Sequence, residues 1–345
     1  MSTTAEVFSE VVAELGEGPL WDGEARRLVW VDIDGRRVHV TSADGSATRS
    51  YATPAPVGAV ALQGDERGRS GTSSRQREER DGSASAARQR DEGERPASSS
   101  REREERDGSA SAARQRDGEL LLALGAGFAR LSLDDGEIVP LADAPGTDPA
   151  VARMNDAAVD PAGRWFAGTK AYDDRPGGGT LYRLDRGGRV TPVLEGVTIS
   201  NGMAWSADGS TLFYIDTPTR TIARFPFELA DGTLGERSVH ADTSALTGSP
   251  DGMTIDADGN VWVAFWGGWC VRCFSGADGT LLEEIAMPVA QCTSLAFGGE
   301  DLRRLHVTTA RAGLSEEQLR DQPDAGRVHV LEPGVAGVPA RRATV

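Results

Sequence analysis

The chain has 345 residues, 39% of them hydrophobic and 26% charged, which is enough apolar material for a substantial core. Acidic residues outnumber basic ones 53 to 37, a formal charge of −16. Such a surface repels phosphate backbones and anionic lipid, so neither nucleic acid nor membrane is an expected partner, and no apolar run approaches the roughly 18 residues that span a bilayer.

The first ten residues are polar and acidic, unlike a secretory signal. Three cysteines, Cys270, Cys273 and Cys292, are too few for a disulfide framework, and the expected location is the cytoplasm. Glu17-Gly18-Pro19-Leu20-Trp21-Asp22-Gly23 leads into the apolar run Leu28-Val29-Trp30-Val31, and a weaker copy of the same pattern starts at Val57. From Asp65 to Asp117 the composition changes abruptly: there is no Leu, Ile, Val or aromatic residue, and 13 Arg balance 13 Asp and Glu. Arg77 to Asp91 recurs letter for letter at Arg103 to Asp117. This stretch cannot bury enough apolar surface to offset ordering entropy and reads as a disordered insertion enlarged by duplication. It falls where other copies carry a turn, at a hairpin tip of the second blade. Its removal is expected to leave folding and activity intact.

The pattern then resumes. Asn155-Asp156-Ala157-Ala158-Val159-Asp160-Pro161-Ala162-Gly163 precedes Trp165-Phe166-Ala167-Gly168. Asn201-Gly202-Met203-Ala204-Trp205 precedes Thr211-Leu212-Phe213-Tyr214-Ile215, and Asp251-Gly252-Met253-Thr254-Ile255 precedes Val261-Trp262-Val263-Ala264-Phe265. A last, weaker copy starts at Thr293. Asp-Gly turns punctuate the strands, as at Asp44-Gly45, Asp208-Gly209 and Asp258-Gly259. Once the insertion is set aside, the starts at 17, 57, 155, 201, 251 and 293 repeat every 40 to 50 residues. Each copy has room for four strands. The expected fold is all-β, one six-bladed β-propeller over residues 1–345 with a central metal-binding channel.

Equivalent positions in a propeller lie equally far from its axis. Four of the six starts, Glu17, Asn155, Asn201 and Asp251, bear a carboxylate or an amide, and their convergence predicts a site for a hard divalent cation. Asn and Asp also simply start turns, but Glu17 is a poor turn former and stands in the same register. Cys270-Val271-Arg272-Cys273 is not a metal pair, because on a strand its sulfurs face opposite ways. His39, His240, His306 and His329 show no ligand spacing, and no Gly-x-Ser-x-Gly, phosphate loop or dinucleotide fingerprint occurs.

Leu15-Gly16-Glu17-Gly18-Pro19-Leu20-Trp21, Arg153-Met154-Asn155-Asp156, Val159 to Thr169, Ile199-Ser200-Asn201-Gly202, Pro250-Asp251-Gly252-Met253 and Gln322-Pro323-Asp324-Ala325-Gly326 together resemble the regucalcin/gluconolactonase family, also called the senescence marker protein or sugar-lactonase family. The resemblance implies a six-bladed propeller with one divalent cation (Ca²⁺, Zn²⁺, Mn²⁺, Mg²⁺ or Fe²⁺) held by Glu17, Asn201 and Asp251. It further implies that Arg153 and Asn155 bind a sugar lactone. Ala157 stands where the family usually has Gly, and Lys170, the only lysine in the chain, where it often has Met.

The function expected from this is metal-dependent hydrolysis of an aldonolactone, such as gluconolactone or a pentonolactone, to its aldonic acid, with Asp251 as ligand and general base. The expected partner is a small-molecule sugar lactone, the role lies in carbohydrate metabolism, and the expected assembly is a monomer or weak homo-oligomer. The alternatives are an arylesterase or phosphotriesterase on the same scaffold, and a non-enzymatic calcium-binding propeller.

Overall fold

The computed structural model describes residues 4–64 and 118–345. The low-complexity stretch 65–117, with its expected place at a hairpin tip, lies outside the described residues. The chain begins with the short strand β1 (Glu6–Ser9). Blade 1 follows as β2 (Gly16–Asp22), β3 (Arg27–Asp32), β4 (Arg37–Ser42) and β5 (Thr48–Ala52), and blade 2 as β6 (Val57–Gln63), β7 (Glu119–Leu124), β8 (Gly127–Ser132) and β9 (Ile138–Asp143). Blade 3 is β10 (Ala152–Val159), β11 (Trp165–Ala171), β12 (Gly179–Leu184) and β13 (Val190–Val197). Blade 4 is β14 (Ser200–Trp205), β15 (Thr211–Asp216) and β16 (Thr221–Glu228), with β17 (Thr233–Leu234) and β18 (Ser238–Asp242) both pairing with β16.

Blade 5 is β19 (Ser249–Ile255), β20 (Val261–Trp266), β21 (Cys270–Phe274) and β22 (Leu281–Ala286). Blade 6 is β23 (Cys292–Gly298), β24 (Arg304–Thr309) and β25 (Val328–Leu331), completed by β1, which pairs antiparallel with β25. A final strand, β26 (Arg342–Ala343), runs parallel to β6. The six blades form the expected propeller. Their innermost strands β2, β6, β10, β14, β19 and β23 touch in succession around a closed ring. Among the described residues no helix is long and apolar enough to cross a membrane.

The apolar core lies between the blades rather than at the axis. Six clusters fill the six interfaces, for example Val29, Val31, Val57, Val60 and Leu120 between blades 1 and 2, and Phe166, Trp205, Tyr214 and Phe227 between blades 3 and 4. This is sheet-on-sheet packing repeated in a ring, and it explains why the outer strands read as alternating while the second strand of each blade reads as a near-continuous apolar run. Cys270 and Cys273 belong to different clusters, on opposite faces of β21, and all three cysteines are free and buried. The Gln322–Gly326 motif fastens blade 6: Gln322 Oε1 accepts from the Ala290 N–H (2.6 Å), and the Ala13 N–H donates to Gly326 O (2.8 Å).

His306 is wholly buried, its ring 4.5 Å from Phe8 and stacked on Trp21, and neither ring nitrogen makes a hydrogen bond. Burial pushes its pKa down from 6.5 to about 3. Its stability contribution is therefore fully present above the ordinary histidine value and is lost as pH falls from there toward 3. Between pH 8 and pH 5 His306 alone is expected to forfeit about 2 kcal/mol, at about 1.4 kcal/mol per pH unit below 6.5. Thermal melts across that range should show a shallower acid slope for His306→Phe than for the parent chain. Parallel slopes would refute the assignment.

Candidate functional site

One irregularity recurs in all six inner strands. The pairing register with the second strand of each blade shifts between Glu17 and Leu20, Val57 and Ala59, Met154 and Ala157, Ser200 and Met203, Pro250 and Met253, and Cys292 and Ser294. These are bulges, and a bulge re-aims side chains and bends its strand. The repeated dipeptides Asn155-Asp156, Asn201-Gly202 and Asp251-Gly252 are the bulges themselves, and Glu17 stands at the edge of its own.

The residue after each site position is glycine in four of six copies, and three of those four leave no room for a side chain. A Cβ on Gly58 would overlap the Asn155 backbone, one on Gly202 would crowd Asp251 O and Met253, and one on Gly252 would overlap Ser294. Each of these glycines lets its inner strand close against that of the next blade. Blade 3 carries Asp156 at this place.

Glu17, Arg153, Asn155, Asn201 and Asp251 are each at most 7% exposed. Their elements are pinned from behind. Asp32 accepts from the Glu14 and Leu15 N–H groups (3.0 Å each) just before β2, and Asp216 accepts from those of Thr198 and Ile199 just before β14. A hydrogen-bonded chain then crosses three blades. Arg153 Nη1 donates to Asn155 Oδ1 (2.6 Å), and Asn155 Nδ2 donates to Asn201 Oδ1 (2.7 Å) and to Ser200 O (2.8 Å). Asn201 Nδ2 donates to Thr217 Oγ1 (2.7 Å), whose hydroxyl donates to Pro250 O beside Asp251 (2.9 Å). Thr217 had no signal in the sequence beyond following an apolar strand.

The acids repel one another in a dry place. Burial, then the Asp251 and Asp156 charges, push the Glu17 carboxyl well above the usual range. Burial and Asp156 do the same to Asp251, with Lys170 and Arg153 opposing, and burial raises Asp156 to about 6. Buried like charges of this kind call for a cation. Among the described residues no group of three or more His, Cys, Asp or Glu is arranged to hold a metal, so the candidate donor set is a mixed one: two carboxylates and the Asn201 amide oxygen. All are hard oxygen donors and fit a divalent cation of the calcium or magnesium type. Both amide oxygens already accept one hydrogen bond, that of Asn155 from Arg153 and that of Asn201 from Asn155, and each keeps a second lone pair.

Of the other starts, Val57 is core, and Thr293 donates to Gly16 O (2.6 Å), tying blade 6 to blade 1. Lys170 sits opposite Arg153 across β10 and β11 and pairs with Asp174 (2.6 Å).

Residues 15–77 and 87–311 match the family described as the SMP-30/Gluconolactonase/LRE-like region. The chain belongs to this family. Among its relatives, a regucalcin of Gallus gallus is 31% identical over 94% of this chain and 93% of its own, and a pentonolactonase of Haloferax volcanii is 32% identical over 96% and 95%. The fold matches the solved structure of a calcium-binding protein, regucalcin, from Agrobacterium tumefaciens, with a TM-score of 0.81 at 24% identity over 100% of this chain and 99% of that one. It also matches a gluconolactonase of Xanthomonas campestris, with a TM-score of 0.65 at 20% identity over 96% and 89%.

Proposed function

We propose that the protein is a divalent-cation-dependent sugar lactonase, hydrolysing an aldonolactone to its aldonic acid. The observation that supports the reading is the mutual repulsion of buried Glu17 and Asp251 on two inner strands, with Asn201 on a third hydrogen-bonded to the Arg153–Asn155 pair. The similarity to a named pentonolactonase supports the substrate class. Glu17, Asn201 and Asp251 would hold the cation. When bound, it supplies Lewis-acid polarisation of the lactone carbonyl.

The remaining chemistry belongs to the chain. Asp251 accepts the proton of the attacking water at a carboxylate oxygen as the water adds to the carbonyl carbon. The ring C–O bond then breaks, and that proton passes to the departing ring oxygen, leaving the open-chain acid. Arg153 and Asn155, fixed by their mutual hydrogen bond, orient the sugar hydroxyls and so convert binding into positioning. The buried setting keeps bulk water from screening these charges.

The test is acid release, followed with a pH indicator, on hexono- and pentonolactones by chelator-treated protein to which Ca²⁺, Mg²⁺, Mn²⁺, Zn²⁺ or anaerobic Fe²⁺ is returned in turn. The expected result is rate above spontaneous opening only with a cation. Cation binding by calorimetry without turnover on any lactone would favour the calcium-binding reading instead, and turnover confined to aryl or phosphate esters the arylesterase one.

A further inference from the structure

The hydrogen-bonded chain through the site has a direction, and its two ends fix it. At one end stands Arg153, whose guanidinium can only donate; at the other stands the Pro250 carbonyl, which can only accept. Every link between them then has one possible sense. Asn155 must turn its oxygen to Arg153 (2.6 Å), which leaves its amide nitrogen to donate to Asn201 (2.7 Å) and to Ser200 O (2.8 Å). Asn201 must answer with its oxygen, so its nitrogen faces Thr217 (2.7 Å). The Thr217 hydroxyl accepts that N–H and gives its own proton to Pro250 O (2.9 Å). No link is frustrated. The Asn201 amide is held with its nitrogen toward Thr217 and its oxygen on the other side, where one lone pair stays unused.

Thr217 is itself held by its backbone. It follows Asp216, the last residue of β15, whose carboxylate takes the Thr198 and Ile199 N–H groups. Its own N–H donates to Ile199 O (3.2 Å), its carbonyl closes a 3-10 turn by accepting the Arg220 N–H (3.0 Å), and Pro218 follows it in that turn. From this corner of blade 4 the side chain reaches β19 of blade 5 and bonds the residue just before Asp251.

The fold does not demand a hydroxyl at this place. Blade 1 makes the same corner: Asp32 ends β3 and takes the Glu14 and Leu15 N–H groups, and the next residue is Ile33, buried in the core between blades 1 and 2. Where blade 1 packs an aliphatic side chain, blade 4 places a hydroxyl whose two hydrogen bonds end on Asn201 and on the neighbour of Asp251.

We propose that Thr217 is the positioning residue of the cation site, holding the Asn201 amide with its oxygen free for the cation and fixing the backbone that carries Asp251. This rests on the reading of Glu17, Asn201 and Asp251 as ligands. Removing the hydroxyl strands the Asn201 N–H and the Pro250 carbonyl together, so two ligands lose their anchor through one substitution. Partners that orient metal ligands from behind are worth roughly 10- to 100-fold in affinity.

The test is calorimetric titration of full-length, chelator-treated protein with Ca²⁺, Mg²⁺, Mn²⁺ and Zn²⁺ in turn, with no lactone present. Thr217→Val, which keeps the shape and loses the hydroxyl, is expected to bind at least about 10-fold more weakly than the parent. Thr217→Ser, which restores the hydroxyl, is expected to regain most of that loss. Melting curves of the cation-free variants separate folding from positioning, and Thr217→Ala takes the place of Thr217→Val if the latter does not melt cooperatively. A hydroxyl-free variant that melts lower yet binds as tightly as the parent has lost only structural support, and it overturns the proposal alone. A serine variant as weak as the valine one does the same, because the hydroxyl is then not what matters. A parent chain that binds none of the four cations overturns the cation reading, and this proposal with it.

Discussion

Glu17→Gln is expected to lower cation-dependent lactone hydrolysis by about 10³-fold or more while raising the melting temperature of the cation-free protein. The two effects have one cause. Glu17 is buried against Asp251 and Asp156, and its ionised form is disfavoured by desolvation and then by those two charges. A carboxyl whose pKa is raised on folding adds stability that is present below its ordinary value and disappears as pH rises through the raised one. At pH 8 the cation-free fold therefore carries a strained acid, and the neutral amide relieves it. Under the proposed reading, binding of the cation reverses the balance, because the same charge would then hold the metal.

Asp251→Asn should behave alike in activity and stability. Full turnover by Asp251→Asn would rule out its role as general base, and a drop in both activity and melting temperature for Glu17→Gln would show simple misfolding. The stability gain should be seen at pH 8 and vanish near pH 4, where the parent acids are protonated too.

Gly58→Val should produce the largest loss of stability of any single substitution around the channel. Its Cβ would fall on the backbone of Asn155, which no rotamer change can move. Relief requires blades 2 and 3 to part along their inner strands, and overpacking of this kind costs about 3 kcal/mol. That corresponds to a fall in Tm of roughly 6 °C or more. Because the displaced segment carries Asn155, the hydrogen bonds from Arg153 and to Asn201 should loosen with it, so activity falls as well. Gly23→Ala is the control: its Cβ would meet only Trp21 at 3.7 Å, and a change within about 0.5 kcal/mol is expected. Similar melting curves for the two variants would refute the account of the inner ring.

The propeller was legible because its period is carried by chemically restricted residues. A bulge that packs one of its residues on the next blade favours Asn or Asp followed by Gly, so 201 and 251 stand out by eye, Asn155 joins them by register, and Glu17 stands out against all three. Asp156 was hidden for the converse reason. It occupies the glycine place of its blade, and its part in the site shows only in space, where its charge reaches Glu17 and Asp251. Thr217 acts only through space, joining Asn201 to Pro250, and no spacing rule announces it. The closing strand β1 is four residues long, and the stretch from Ala336 to Thr344 has no periodicity, because both are fixed by partners at the far end of the chain.

The six bulges make the propeller an array of interchangeable sockets. Four carry a carboxylate or an amide; Val57 fills its socket with packing, and Thr293 uses its hydroxyl to clasp blade 1. The interblade cores are built from other residues of the same strands, so a socket can change its side chain without rewriting the architecture around it. New chemistry on this scaffold can therefore be acquired one blade at a time, and Val57 is the socket where a further ligand can be installed with no existing polar contact to lose.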